Sequence, residues 1–549
     1  MRRRLFLFTI GPVQSFISQA RKARDLYFGS YILSSLCMNA ITYLRELKKD
    51  TKIIFPNEKF IFEAKKSEIP SIPNRFLASI PIEDNDEIYQ LADDLIRKVK
   101  QSFRNISMEK HNLNEEYESQ IEDFLELYWA STEEGNDYRK NYLSLETAIG
   151  AIKSTRSFNQ VKHKPGLRKC SVCGQRNALV KGNNYLQNNE ELCAICWTKR
   201  SLTKTFPSTA GIALMQDVYQ INKYPEGEKV YNNFKNRFGK AFDEEFLYEE
   251  NLRSDYFHKN NINIEVLNTE LFKNAKILNR FILDNNLNYT KYYALLALDG
   301  DDMGKWMSGE NYTGDYENFR KFHQKVSYKL INYNKKVLEI IKEPRGKIVF
   351  SGGDDILAFV NLYHLLDVLH DLRNEFPQFD NNKQTTASCG VCIAHYKTPL
   401  NYVIKKAKEA ENSAKKMDNK NSFSIVILKH SGEINQSTAK WKYNELDTIN
   451  VIKKILSILN KKYFSTAFIN NIQEEFRLVE KVPVKSIETE IARLIMRSCV
   501  CDCNNKQKYG RLLIENVINL FKITNFQLLE FFNLLNIISF LYRKGDNND

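Results

Sequence analysis

One short stretch, Ser351-Gly352-Gly353-Asp354-Asp355, holds residue types that suit phosphate chemistry. Two adjacent carboxylates suit Mg²⁺, which takes one or two carboxylates plus substrate phosphates. Two glycines permit a tight turn and let a phosphate approach the backbone. The flanking runs Lys347-Ile348-Val349-Phe350 and Ile356-Leu357-Ala358-Phe359-Val360 predict strands, which puts the carboxylates at the tip of a β-hairpin. Taken alone, the motif reads equally well as a solvated turn, since Gly and Asp are ordinary turn residues. A second segment tips the balance. The apolar run Tyr292–Leu298 predicts a buried strand, and it ends in Asp299-Gly300-Asp301-Asp302. Asp299, Asp354 and Asp355 are therefore the candidate catalytic residues and the candidate ligands of Mg²⁺ or Mn²⁺.

The elements between these motifs must bring them together. After the first strand, Phe319, Phe322, Val326, Leu330, Tyr333, Val337 and Ile341 recur at three- and four-residue steps, which predicts a helix ended by Pro344 and Gly346. The hairpin follows. A helical pattern then spans 362–376, a strand-like run 385–394, a second helix 402–417 and a last strand 422–428. The order is β-α-β-β-α-β with an extra helix and strand, a split-βαβ, ferredoxin-like pattern in an α+β chain. In such a sheet the first strand end and the hairpin tip are neighbours, as in polymerase and nucleotidyl-cyclase palms. Two metals on these carboxylates can activate a hydroxyl and stabilise a leaving oxygen in phosphoryl transfer. Lys415 and Lys416 lie late on the 402–417 helix, where they could meet a triphosphate; they read at least as well as a solvated lysine pair.

Cysteine spacing gives a separate motif. Cys170-Ser171-Val172-Cys173 and Cys193-Ala194-Ile195-Cys196 are separated by nineteen residues. Two such pairs match a Cys₄ zinc site, which is structural because four thiolates leave no open position. Cys389 and Cys392 lie in an apolar strand pattern and read as small core residues, and Cys37 as helix packing. Cys499, Cys501 and Cys503 alternate more closely than metal-binding turns normally do.

The start of the chain repeats the theme without the carboxylates. Leu5–Ile10 predicts a strand, Gly11-Pro12 a turn and Val13 onward a helix, so Gly11 and Pro12 stand where Asp299 and Gly300 stand in the second copy. The inference is two palms, one active and one degenerate. Gln14, Arg21, Arg24 and Asp25 recur near the first turn and read foremost as palm–palm interface residues, secondarily as ligand or RNA contacts.

With these motifs in place, the chain resembles the large polymerase–cyclase subunit of type III CRISPR effector complexes, most closely the type III-B form. The resemblance is carried by Gly11-Pro12-Val13-Gln14-Ser15-Phe16-Ile17, Ala20-Arg21-Lys22-Ala23-Arg24-Asp25-Leu26, Gly29-Ser30 and Pro73-Asn74-Arg75-Phe76. It continues through the four cysteines, Phe206-Pro207-Ser208-Thr209, Asp299-Gly300-Asp301-Asp302-Met303-Gly304-Lys305 and Ser351–Asp355. It implies a palm that, once target RNA binds, converts ATP into a cyclic oligoadenylate messenger or adenylates S-adenosylmethionine. Nucleotide contacts are then expected at Gly300, Lys305, Ser351, Gly352, Gly353 and Lys415. The implied partners are guide RNA, target RNA and the other subunits of the ribonucleoprotein. Many relatives carry a histidine–aspartate nuclease domain first. Here the palm-like pattern begins at residue five, so none is expected, and His370-Asp371 reads as an ordinary helix pair.

Composition agrees. The 549 residues suffice for several domains, and 80 Lys plus Arg against 67 Asp plus Glu give +13, a balance suited to nucleic acid. No run reaches the length of a membrane span, and Gly11-Pro12 cuts short the signal-like start, which predicts a cytoplasmic protein. The expected division is a degenerate palm at 1–160, a zinc module at 161–205 and a mainly helical connector at 206–290. A catalytic palm at 291–435 and a helical bundle at 436–549 complete it. Three classes remain open: an RNA-gated nucleotidyltransferase, a free-standing nucleotide cyclase and a catalytically silent RNA scaffold.

Overall fold

The structure, a computed structural model, describes residues 2–58, 72–82, 84–108, 114–155, 166–183, 185–285, 287, 289–476, 483–501 and 503–543. The first sheet is built from β1 (Arg3–Gly11), β2 (Lys52–Phe55), β3 (Arg75–Pro81) and β4 (Glu126–Glu133), in the order β2-β3-β1-β4. Every pairing is antiparallel, with β1 central between β3 and β4. Helices α1 (Gln14–Ser18) and α2 (Ala23–Leu47) join β1 to β2, and α3 (Asn85–Met108) and α4 (Glu115–Glu122) join β3 to β4. This is the ferredoxin-like arrangement expected of a palm. Alternation along β1 sorts its side chains: Phe6, Phe8 and Ile10 pack beneath α2 and α3. Leu5 and Leu7 pack on the other face against α5 (Tyr138–Ser154) through Tyr142, Leu145 and Ile149.

The cysteine module follows, with α6 (Ala194–Ser201) at its end. Leu192, Ile195 and Trp197 share a core with Phe6, Phe16 and Phe103, so the module docks on the first palm. The segment that follows is helical: α7 (Thr209–Ala213), α8 (Met215–Asn222), α9 (Pro225–Asn236), α10 (Ser254–Lys259) and α11 (Thr269–Asp284). It has a core of its own around Phe234, Phe246, Phe257 and Leu278.

The second sheet carries the motifs. It comprises β5 (Tyr292–Gly300), β6 (Gly346–Gly352), β7 (Asp355–Asn361), β8 (Ala387–His395), β9 (Ser422–Leu428) and β10 (Ile434–Lys440), in the order β10-β9-β8-β5-β7-β6. Its β8-β5-β7-β6 centre repeats the first sheet's topology, with α12 (Met303–Ser308), α13 (Phe319–Ile340) and α14 (Leu365–Asn374) as the intervening helices. Helix α15 (Leu400–Lys415) crosses to β9, which runs parallel to β8 to complete a β-α-β unit. Strand β10 straddles residue 435, the expected end of this palm, and pairs with β9 along its whole length.

Both faces of this sheet are buried, which explains why β5 reads as a continuous apolar run. Ala294, Leu296 and Leu298 face the C-terminal helices α16 (Thr448–Leu459), α17 (Ala467–Phe476), α18 (Val484–Arg497), α19 (Cys503–Ile523) and α20 (Leu528–Arg543) in one continuous core. Tyr293 and Leu295 face α15, α7 and the first turn of α2. Cys389 and Cys392 are buried core residues on opposite faces of β8, and Cys37 is buried in α2. Cys499 and Cys501 bring their sulfurs to 3.1 Å, while the Cys503 side chain lies outside the described residues.

Candidate active site and zinc site

Strand register sets the carboxylate cluster. Leu298 pairs with Ile356 across β5 and β7, so Asp299, one residue on, stands opposite Asp355. Directly opposed residues in an antiparallel pair project to the same face about 5 Å apart. Gly352 pairs with Asp355, leaving Gly353 and Asp354 as the two turn residues. Gly353 has φ +78°, the glycine position of a type II′ hairpin. Gly300 is required for a different reason. A Cβ there would lie 2.9 Å from Asp354 Cβ and 2.9 Å from Met303 Cγ, so the end of β5 abuts the hairpin tip. Asp299, Asp354 and Asp355 thus converge as expected, with Gly300, Ser351, Gly352 and Gly353 beside them.

Their electrostatics suit a cation. Burial, then the charge of Asp299, then that of Asp355, pushes Asp354 up to about 8. Burial and Asp299 push Asp355 up to about 7. Asp355 is nonetheless open to solvent, and Asp354 partly so, which describes carboxylates on the wall of a cleft, ringed by protein yet reachable from outside. Carboxylates this close that resist ionising together are a donor set short of positive charge, and a divalent ion fits it.

Helix α15 supplies cations to the same place. Lys415 donates to Asp299 Oδ2 and lies 3.0 Å from Glu411 Oε1. Lys408 donates to Glu411 Oε2 at 2.7 Å. Positions 408, 411 and 415 share one helix face. The helix reaches the strand ends because Gly390 lets it lie directly on β8: a Cβ there would fall 2.2 Å from Glu411 N and 2.3 Å from Ala407 O. Glu411, with its side chain 1% exposed, went unrecognised in the sequence because a Lys-rich helix reads as a solvated face. Lys305, by contrast, is exposed and lies 3.8 Å from Asp302.

The two other acids of the first motif differ from a simple helix-capping role. Asp301 is buried and accepts from Thr386 Oγ1 (2.8 Å), Ser388 Oγ (2.8 Å) and Asn421 N (3.0 Å), stapling β5 to β8 and to the approach to β9. Asp302 sits at the N-cap of α12 but makes no side-chain cap bond; it accepts from Lys420 at 2.8 Å. His370 contacts Asp371 at 3.4 Å and Asn374 at 3.0 Å, and Asp371 pairs with Arg345 at 2.8 Å, an ordinary helix-surface set.

The four cysteines of the second motif, Cys170, Cys173, Cys193 and Cys196, bring their sulfurs within 4.8 Å of one another. Cys173 and Cys193 are 3.8 Å apart, close to the edge of a tetrahedron built on Zn–S bonds of about 2.3 Å. Cys193 also caps α6, accepting from Cys196 N at 3.4 Å. The residues fit a structural zinc ion. Asp25, expected at the palm–palm interface, belongs instead to this module's seam. The guanidinium of Arg200 on α6 donates to both Asp25 oxygens (2.6 and 2.7 Å) and to Glu190 (3.0 Å). Burial alone would raise the Asp25 carboxyl; Arg200 overrides it and holds it at about 2. Arg24 reaches the backbone of Leu202, and Arg21 donates to Gln187 of the module at 3.0 Å, while Gln14 is exposed.

Comparisons with known proteins agree with this geometry. Residues 292–424 match the family described as Cas10/Cmr2, second palm domain, and residues 5–108 match CRISPR-associated protein Cmr2, N-terminal. A curated relative, CRISPR system Cmr subunit Cmr2 of Pyrococcus furiosus, is 24% identical over 80% of this chain and 63% of its own length, so the chain spans less than two thirds of that relative. Among solved structures, the type III-B Cmr-beta complex in its apo state gives a TM-score of 0.62 at 15% identity, covering 95% of this chain and 82% of that one. The same complex bound to cognate target RNA gives 0.64 at 14%, covering 95% and 83%. Both family matches fall on the two palms described above, so the palms of this chain are similar to those of the Cas10/Cmr2 family.

Proposed function

We propose that this chain is a metal-dependent nucleotidyltransferase that makes a nucleotide messenger from ATP inside a type III-B CRISPR ribonucleoprotein, switched on by target RNA. The observation that carries the reading is the convergence of Asp299 with Asp354 and Asp355 across a contact too tight for any residue but glycine at 300. Mg²⁺ or Mn²⁺ held by these three carboxylates would activate the attacking hydroxyl and stabilise the departing pyrophosphate. The chain's own groups do the rest. Gly352 and Gly353 make the turn tight enough to set Asp354 and Asp355 side by side at its tip, and Ser351 lies buried beneath it. Lys415, with Lys305 further out, supplies positive charge for the triphosphate. The zinc ion, on Cys170, Cys173, Cys193 and Cys196, serves the fold and not the reaction.

The partners follow from kinship: the Cmr-beta complex, whose fold this chain shares, has been seen with its cognate target RNA. The net charge of +13 suits guide and target RNA, and no helix among the described residues is long and apolar enough to cross a membrane. The reading therefore puts the protein in the cytoplasm with its RNA. Cyclic oligoadenylate and an S-adenosylmethionine adduct both require the same carboxylates and the same leaving group. The test is to incubate the assembled complex with labelled ATP, Mg²⁺ or Mn²⁺ and matched target RNA, with and without S-adenosylmethionine, and to identify products by mass spectrometry. A new adenylate product that depends on target RNA is expected. A complex that binds RNA but yields no product under any of these conditions would leave the scaffold reading standing.

A further inference from the structure

The turn that carries the carboxylates is itself held from behind. Ser351, Gly352 and Gly353 are buried, so the polar groups of the Gly353 peptide units need partners inside the protein. Helix α13 supplies one residue that meets them. Asn334 is 3% exposed and lies on the helix face turned to the hairpin. With its amide oriented so that nitrogen meets oxygen, Asn334 Nδ2 donates to Gly353 O at 3.1 Å and to Ser351 Oγ at 3.0 Å. Its Oδ1 accepts from Gly353 N at 3.0 Å. One side chain therefore fixes both backbone groups of the residue at φ +78°, immediately ahead of Asp354 and Asp355.

We propose that Asn334 is a positioning residue that sets the geometry of the hairpin carboxylates, so that their affinity for a divalent ion depends on an amide that never touches the ion. The physical reason is directional. A two-residue turn has few backbone torsions, and holding the N–H and C=O of its first residue fixes the plane from which Asp354 departs. An apolar residue of similar size would fill the space but release the turn. The proposal rests on the metal-site reading given above.

The experiment uses the full chain and Mn²⁺ alone as probe, followed by electron paramagnetic resonance, with thermal melting alongside. The parent protein should bind Mn²⁺, and Asp299→Ala should remove that binding. Asn334→Leu should weaken Mn²⁺ by about tenfold or more, the usual effect of losing a residue that orients a ligand. That loss should appear at temperatures where melting shows the variant folded. A folded Asn334→Leu protein whose Mn²⁺ affinity stays within about twofold of the parent overturns the proposal while leaving the metal site intact. A parent that binds no Mn²⁺ through Asp299 overturns the metal-site reading and the proposal with it. If Asn334→Leu does not fold, hydrogen exchange of the parent decides: a Gly353 amide that is slow in metal-free protein supports the clamp, and one that exchanges like an open turn rejects it.

Discussion

Asp354 and Asp355 carry the sharpest consequence at the scale of single residues. Replacing both by Ala should abolish nucleotide product, a loss of roughly a thousandfold or more, because several kcal/mol of transition-state stabilisation goes with the ligands. RNA binding, measured by filter retention, should stay within about twofold, since the hairpin tip is not a basic surface. Loss of RNA binding together with product would make the hairpin a structural element instead. Asp299→Ala should behave like the double variant. Asp301→Ala belongs to a different category. It strips three donors of a buried acceptor, so unfolding free energy should fall by about 3 kcal/mol in urea titrations. The clustered acids were legible because they flank apolar runs, and strand ends are where a sheet exposes side chains. Asn334, Glu411 and the role of Asp301 were not. Asn334 interrupts a helical apolar stripe and Glu411 lies among lysines; only the packing of a helix on a particular strand decides that such residues face inward.

Elements position these residues through close backbone contacts. Gly390 is the clearest case, since α15 rests on β8 where a side chain would stand. Gly390→Val should drive α15 off the sheet and withdraw Glu411 and Lys415 from Asp299, lowering melting temperature and product formation together; a variant that loses neither would show the helix approaches by another route. The zinc module is held in two ways. Cys170→Ser with Cys173→Ser should release about one Zn²⁺ per chain by metal analysis and destabilise the fold, because the site's binding energy is folding energy. Asp25→Asn should cost about 3 kcal/mol by leaving the buried Arg200 charge partly unmatched. The pH dependence has a fixed sign. Asp25 sits at about 2 in the folded protein against 3.8 ordinarily, so its contribution is complete above about pH 4 and is lost as pH falls through 2. The cysteine spacing announced the four-thiol cluster, but the Asp25–Arg200 pair spans 175 residues and has no local signature.

The whole molecule joins these parts through shared cores. The sheet face bearing Leu296 and Leu298 and the five C-terminal helices form one continuous apolar interior. A chain ended after Lys440 should therefore expose that face and aggregate, and residues 292–543 should unfold as one unit in hydrogen exchange. The sequence pattern gave two palms and a helical end, yet it drew a boundary at 435 inside a strand, because β10 is polar along much of its length and resembles a linker. Helix α13 is one of the elements that join the halves. Ile331 lies in the core of the first palm, and Asn334, three residues later, grips the hairpin of the second. Three residues advance a helix by about 4.5 Å, less than one turn. So short a rod has no slack. The seam between the palms and the carboxylate turn are thus anchored within a single turn of the same helix.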